Sequence, residues 1–162
     1  MVADSQITVV ENSIFRVRMG GPETTDEIMA KLGLPFDPWI TQKNCPVTPS
    51  KTPWEDGIQI IYPGIDSESS LRAMEGFKYL QDANLHQPTH EHAIRFAQQY
   101  GSETLADKEV FVMFLHEPLA TDTRGPCTVY LSRRPKWQGV GLSTVNGWFS
   151  DCCGLAGVRP AK

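Results

Sequence analysis

This sequence has no apolar run long enough to cross a bilayer. Its longest stretches, such as "VFVMFL" at residues 110–115, fall far short of the roughly 20 residues that a spanning helix needs. The opening "MVADSQITVVENS" has no basic segment followed by an apolar one, so no secretory leader is read there and a cytoplasmic location is expected. The four cysteines, Cys45, Cys127, Cys152 and Cys153, include no Cys-x-x-Cys pair, and the adjacent two would bridge only at strained geometry. Buried free thiols are expected rather than a disulfide framework or a zinc knuckle. An excess of positive charge is also missing: 15 Lys and Arg stand against 19 Asp and Glu, for a net charge of −4. Residues 1–110 carry nine basic against sixteen acidic side chains, while residues 111–162 carry six against three. The acidic front excludes broad nucleic-acid binding, which needs a basic field to displace counterions, and leaves the basic tail free to serve one anionic ligand. No internal repeat is visible.

What is present fits one ordinary domain over residues 1–162, with 40% hydrophobic and 21% charged residues. "ITVVENSIFRVRM" reads as a strand, a short turn at Glu11-Asn12-Ser13, and a second strand in which Phe15, Val17 and Met19 alternate with Arg16 and Arg18. "TTDEIMAKLG" reads as a helix with Thr24 or Thr25 as cap, acidic residues in its first turn and Gly33 as its stop. Six of the twelve prolines (Pro35, Pro38, Pro46, Pro49, Pro53 and Pro63) fall in residues 34–64 and predict a long extended segment. Trp39 and Trp54 lie in it. They are expected to pack inward, or else to form a recognition surface for a protein partner. A short strand is expected in "GIQIIYPG". A helix is read in "DSESSLRAMEGFKYLQDAN", capped by Asp66 or Ser67, and a second over residues 89–100. "KEVFVMFLHE" and "CTVYLSRR" read as strands, the first covered on both faces. Without regular βαβ alternation, the expected fold is α+β: a mostly antiparallel sheet, two to three helices and a long Pro-rich coil.

Three of the four histidines cluster in "LHQPTHEHAIRF". On a helix starting near Thr89, His90 continues the stripe of Ala93, Phe96, Ala97 and Tyr100, while His92 points away. Two ligands on opposite faces cannot hold one ion, so no metal site is expected. His116 ends a buried strand, where a histidine serves either as a hydrogen-bonded core residue or as a catalytic base.

The stretch "PKWQGVGLSTVNGWFSDCCGLAG" admits two local structures. Val145, Trp148, Phe149, Cys152 and Ala156 follow helical spacing and predict a helix over residues 142–156 behind a glycine turn. The alternative is a hairpin, with "VGLSTV" as its returning strand. A strand, a glycine turn and a helix N-terminus would make an anion site, with Arg133, Arg134 and Lys136 adding charge.

"VYLSRRPKWQGVGLS" resembles the acetyl-CoA-binding motif of the GCN5-related N-acetyltransferases, in which a strand leads through a glycine loop into a helix. The resemblance covers about residues 127–157. It implies that the backbone around Gln138, Gly139, Gly141 and Ser143 binds the pyrophosphate of acetyl-CoA. Ser143 stands where that family has Gly or Ala, and Asn146-Gly147 replace its leucines. "SDCCGL" loosely resembles the nucleophile segment of NlpC/P60-type cysteine peptidases, which would make Cys152 a nucleophile and His116 its base in a permuted order. Neither resemblance brings a complete catalytic constellation. The leading expectation is therefore a non-catalytic partner- or ligand-binding module without a cofactor, with an acyl-CoA-binding protein and a cysteine hydrolase as alternatives.

Overall fold

The computed structural model describes residues 8–9, 14–62, 71–104, 111–121, 124–132, 139–144, 148–149 and 153–160. Strands β1 (Thr8–Val9) and β2 (Phe15–Met19) precede helix α1 (Thr25–Lys31), a coil, and the long strand β3 (Trp54–Tyr62). Then come β4 (Leu71–Arg72), α2 (Ala73–Asp82), α3 (His90–Thr104), β5 (Phe111–Met113) and β6 (Leu119–Thr121). Strands β7 (Gly125–Ser132), β8 (Gly139–Thr144), β9 (Trp148–Phe149) and β10 (Cys153–Val158) complete the order. The fold is α+β. Eight strands make one mostly antiparallel sheet, and β4 pairs with β9 apart from it.

The eight strands fill six lateral places, in the order β1/β2, β3, β10, β5/β6, β7, β8. Ile61 faces Val9 on one side and Leu155 on the other, and Ile58 likewise faces Phe15 and Val158, so β1 and β2 follow one another along the same flank of β3. In the same way β5 and β6 lie end to end along β7, opposite β8. Only β5 and β10 run parallel among these paired strands.

The alternation in β2 decides its face. Val17 and Met19 are buried and Arg16 and Arg18 exposed. With Ile58, Ile60, Val112, Val129, Leu131 and Val140 they form one core face, covered by Ala93, Ile94, Phe96 and Ala97 of α3 and by Ile28 and Met29 of α1. The opposite face carries a smaller cluster in which Leu80 of α2, together with Leu85, packs on Ile61, Met113, Leu115 and Leu155. Each such aliphatic side chain contributes roughly 1.5–3 kcal/mol by leaving water. Helix α1 starts where the sequence places it: Thr24 accepts from the Glu27 N–H while the Glu27 carboxylate accepts from the Thr24 N–H, a reciprocal capping box. Just past its end Gly33 takes a positive φ of 73°.

Outward backbone groups of β2 and β8 are taken. The Gln99 side-chain amide accepts from the Arg18 N–H and donates to the Arg18 carbonyl, each at 2.8 Å, and the Tyr100 hydroxyl donates to the Arg16 carbonyl at 2.7 Å. On β8, the Val140 N–H donates to the Pro35 carbonyl and the Val140 carbonyl accepts from the Asp37 N–H. Arg124 holds that coil with two bonds to the Asp37 carboxylate, at 2.6 and 3.3 Å.

Three expectations are corrected. The helix expected over residues 142–156 is instead the hairpin strand β8 with β9 and β10 beyond it. Val140 and Leu142 pack into the main core, while a side chain on Gly139 would strike the Pro35 carbonyl and one on Gly141 the Tyr130 ring. "GVGL" is thus a two-residue alternation of core residues with glycines that admit close neighbours. The helix α2 begins at Ala73 rather than near Ser67, because Leu71 and Arg72 pair with β9; the expected caps lie outside the described residues. Trp39 packs inward against the core, whereas Trp54 opens β3 and is 46% exposed.

Candidate functional site

A recess forms beside the Glu55–Gly57 segment of β3. Just past β10 the Arg159 N–H donates to the Gly57 carbonyl at 2.9 Å, the last bond of that ladder among the described residues. Strand β3 begins further back, at Trp54, and its Glu55–Asp56 segment has no strand neighbour on the β10 side among the described residues. Across the gap stand His86, bridged to Val158, and His92 in the first turn of α3. The resulting notch has a volume of about 510 Å³. Arg16, Glu55, Asp56 and Arg159 supply its charge, while Ile14 and Pro160 border it.

Backbone direction follows from the ladder. Arg18 faces Glu55 and Arg16 faces Gly57 in register, and the outward groups of both arginines bond to α3. Such pairs are the non-hydrogen-bonded kind, so the groups of Glu55 and Gly57 point the other way, into the notch. Among the described residues, the Glu55 N–H and carbonyl and the Gly57 N–H have no partner there.

Gly57 sits between two arginines. Arg16 is its cross-strand neighbour on β2, and Arg159, just past β10, flanks it on the other side, with Cβ 3.7 Å from where a Gly57 Cβ would stand. Both therefore project from the same sheet face. Arg159 donates to Gln59 Oε1 at 3.2 Å, while the Arg16 guanidinium and the Glu55 carboxylate have no side-chain partner among the described residues.

The other wall is rigid. The Thr89 N–H donates to His92 Nδ1 at 2.9 Å, so the ring proton sits on Nε2, which donates to Asp56 Oδ2 at 2.8 Å. The His92 N–H in turn donates to Thr89 Oγ1, making a capping box with histidine in the place of Glu or Gln. Asp56 Oδ2 also accepts from the Trp54 indole at 3.2 Å. His92 is thus buried rather than turned to solvent, since β3 lies against that side of the first turn. His90 bonds to the Pro46 carbonyl and stacks edge-on with His116. Among the described residues, no three His, Cys, Asp or Glu side chains gather in a metal-binding group. None of their helices is long and apolar enough to cross a membrane.

The sequence-predicted residues lie elsewhere. His116 is 1% exposed; its Nδ1 donates to the Glu117 carbonyl and its Nε2 accepts from the Val129 N–H, so both nitrogens are engaged. Burial, with His90 nearby, pushes its pKa down to about 4. Cys45 and Cys127 are buried free thiols, and burial beside Asp37 pushes Cys45 up to about 12. Gly139, Gly141 and Ser143 lie within β8, paired with Ser132, Tyr130 and Thr128. Arg133, Arg134, Lys136, Gln138 and Cys152 lie outside the described residues. Trp39 is anchored through its N–H to Asp37, and Trp54 adjoins the notch through Asp56. The arginines of the notch escaped the sequence reading, although the alternation of Arg16 with buried neighbours already placed Arg16 on the solvent face. A second recess, of about 260 Å³, holds Arg95, whose guanidinium is taken by Glu23 and by the Gly21 and Glu23 carbonyls. No family model, no curated protein and no solved structure matches this chain.

Proposed function

We propose that this chain is a non-catalytic binding module whose notch takes an anionic group. One observation carries the reading: Arg16 and Arg159 flank Gly57 on one sheet face, and among the described residues neither is in an ion pair with a carboxylate. Adjacent strands lie roughly 4.8 Å apart, so the two arginine backbones stand about 10 Å apart, a span that two long side chains can bridge to one anionic group. Arginine's planar fork suits carboxylate and phosphate. A catalytic reading lacks support in the wall, because both nitrogens of His92 are occupied in holding α3 to β3.

Thermal shift with inorganic phosphate and succinate at low ionic strength tests this. A ligand present at ten times its Kd stabilises by about 1.4 kcal/mol, or roughly 4 °C for a chain of this size. The double variant Arg16→Ala, Arg159→Ala changes exposed side chains and should fold yet lose the shift. No shift at 10 mM of either ligand (about the upper limit of useful affinity), or an equal shift in the variant, defeats the proposal. Acetyl-CoA in the same screen addresses the resemblance around residues 127–157; a shift surviving the double variant would locate that ligand away from the notch.

A further inference from the structure

The notch holds an acid as well as two arginines. Arg16, Arg159 and Glu55 all line it, and among the described residues these opposite charges form no ion pair with one another. We infer that its ligand is a small zwitterionic amino acid, with the carboxylate between Arg16 and Arg159 and the ammonium group against Glu55. This rests on the anion-binding reading above and names the second charge that the ligand carries.

Strand geometry places the three charges together. Glu55 and Gly57 alternate with Asp56 along β3, so they share a sheet face, the one from which Arg16 and Arg159 project on either side of Gly57. Two residues of strand span about 7 Å, so the acid stands roughly that far along β3 from the row of arginines. Other partners for Glu55 are engaged elsewhere. Its cross-strand neighbour Arg18 lines the separate recess around Arg95 and makes no ion pair with it among the described residues. Asp56, the other carboxylate of the notch, belongs to the opposite face and is tied through Oδ2 to His92 and the Trp54 indole. A ligand with only negative charge would sit near Glu55 as one like charge beside another, which weakens its hold. A positive group on the ligand turns that repulsion into a second attachment. Both attachments are made by side chains above the sheet, so a place beside Glu55–Gly57 in the plane of the sheet is not needed. The 510 Å³ volume lies in the range of small-ligand sites, about 300–1,000 Å³.

The probes are glycine and 4-aminobutyrate, which carry the same two charges at short and long separation, titrated against the full chain by NMR at low ionic strength. Each is compared with the acid that lacks the ammonium group, acetate or butyrate. At least one amino acid should bind about threefold or more tighter than its counterpart, as a partly exposed ion pair allows. Glu55→Gln should abolish that preference without weakening acetate or butyrate, and the double variant Arg16→Ala, Arg159→Ala should lose all four ligands. The comparison between ligands needs no altered protein, so folding of a variant is not at issue. A preference below about threefold for both pairs overturns the inference, as does one that survives Glu55→Gln. If acetate, butyrate, phosphate or succinate still binds through the arginines in those cases, the anion reading stands alone. Binding seen only in a chain ending at Pro160 also overturns it, because residues 161–162 then hold the site. If no ligand binds in either chain, both readings fall together.

Discussion

At the β2 margin of the sheet, outward backbone groups are taken by side chains, Gln99 and Tyr100 of α3. At the β8 margin they are taken by the chain itself, at Pro35 and Asp37. An uncovered strand edge is a template for pairing with another chain, so both devices block such pairing. They differ in what they require. A side-chain cover needs one residue of the right reach on a helix already held by its apolar face. A backbone cover needs room for a second main chain, and here that room is Gly139, at a φ of 112° and against the Pro35 carbonyl. A third stretch, Glu55–Asp56, has neither cover among the described residues, and the charged notch forms there.

The backbone cover should be the more fragile. Gly139→Val combines backbone strain with a collision against main chain that has no rotamer to escape into. We expect a loss of about 3–5 kcal/mol in urea or guanidinium unfolding. A loss below roughly 1 kcal/mol, the size of an ordinary single-substitution effect, would mean that the coil slides off β8 at little cost.

A histidine does inside the sheet what Gln99 does at its margin. Between β5 and β6 the ladder along β7 is interrupted, and His116 Nε2 accepts the Val129 N–H in the gap. This stitch titrates where the Gln99 amide does not. The folded pKa of His116 is depressed to about 4 from 6.5, so below pH 6.5 the unfolded chain takes up a proton that the folded chain refuses. Stability should therefore fall as pH drops from 6.5 to 4, by about 3 kcal/mol, and this part should level off below pH 4. His116→Gln should be less stable at neutral pH and flat across that window. A wild-type chain already flat there would show that the stitch is not made.

Gln99→Ala should cost less, about 1–2 kcal/mol, since both freed groups of Arg18 can turn to water. Its more specific outcome is self-association through β2, seen as concentration-dependent sedimentation. Gln99→Glu keeps the acceptor for the Arg18 N–H, loses the donor to its carbonyl, and should fall between. If Gln99→Ala stays monomeric at high concentration, edge protection is not the role of that amide.

These margins also show which parts of the fold could be read from sequence. Local periodicity located β2, α1 and α3, since Phe15, Val17, Met19 and the stripe from Ala93 to Tyr100 each need only one buried face. It failed at residues 139–158, where glycines rather than polar residues alternate with Val140 and Leu142. The strand rhythm is thereby masked, and a helical match arises from Val145, Trp148 and Phe149. The glycines that suggested a phosphate loop are where Pro35 and Tyr130 approach β8, contacts with residues far away in sequence or across the sheet. The notch escaped for the same reason: Arg16, Glu55, His92 and Arg159 come from four distant segments. Only the solvent-facing alternation of Arg16 hinted at it.

The smallest effect expected concerns the link that pins the backbone cover. Asp37 accepts two bonds from Arg124 and one from the Trp39 N–H, and the Arg124 hydrogen bond holds its carboxyl below the usual range despite partial burial. A depressed carboxylate contributes stability that is present above its unfolded pKa of 3.8 and is lost as pH falls through the lower, folded value. Asp37→Asn should thus cost about 1 kcal/mol at pH 7, less in high salt, because the pair is partly open to solvent. The variant should converge with wild type only in strong acid, below the window in which His116 acts. Asparagine keeps the shape and the acceptor for Trp39, so the difference isolates the charge. Were Asp37→Asn as damaging as Gly139→Val, the coil would be held chiefly by its ion pair, and the two bonds at Val140 would be consequences of that anchor rather than the cover itself.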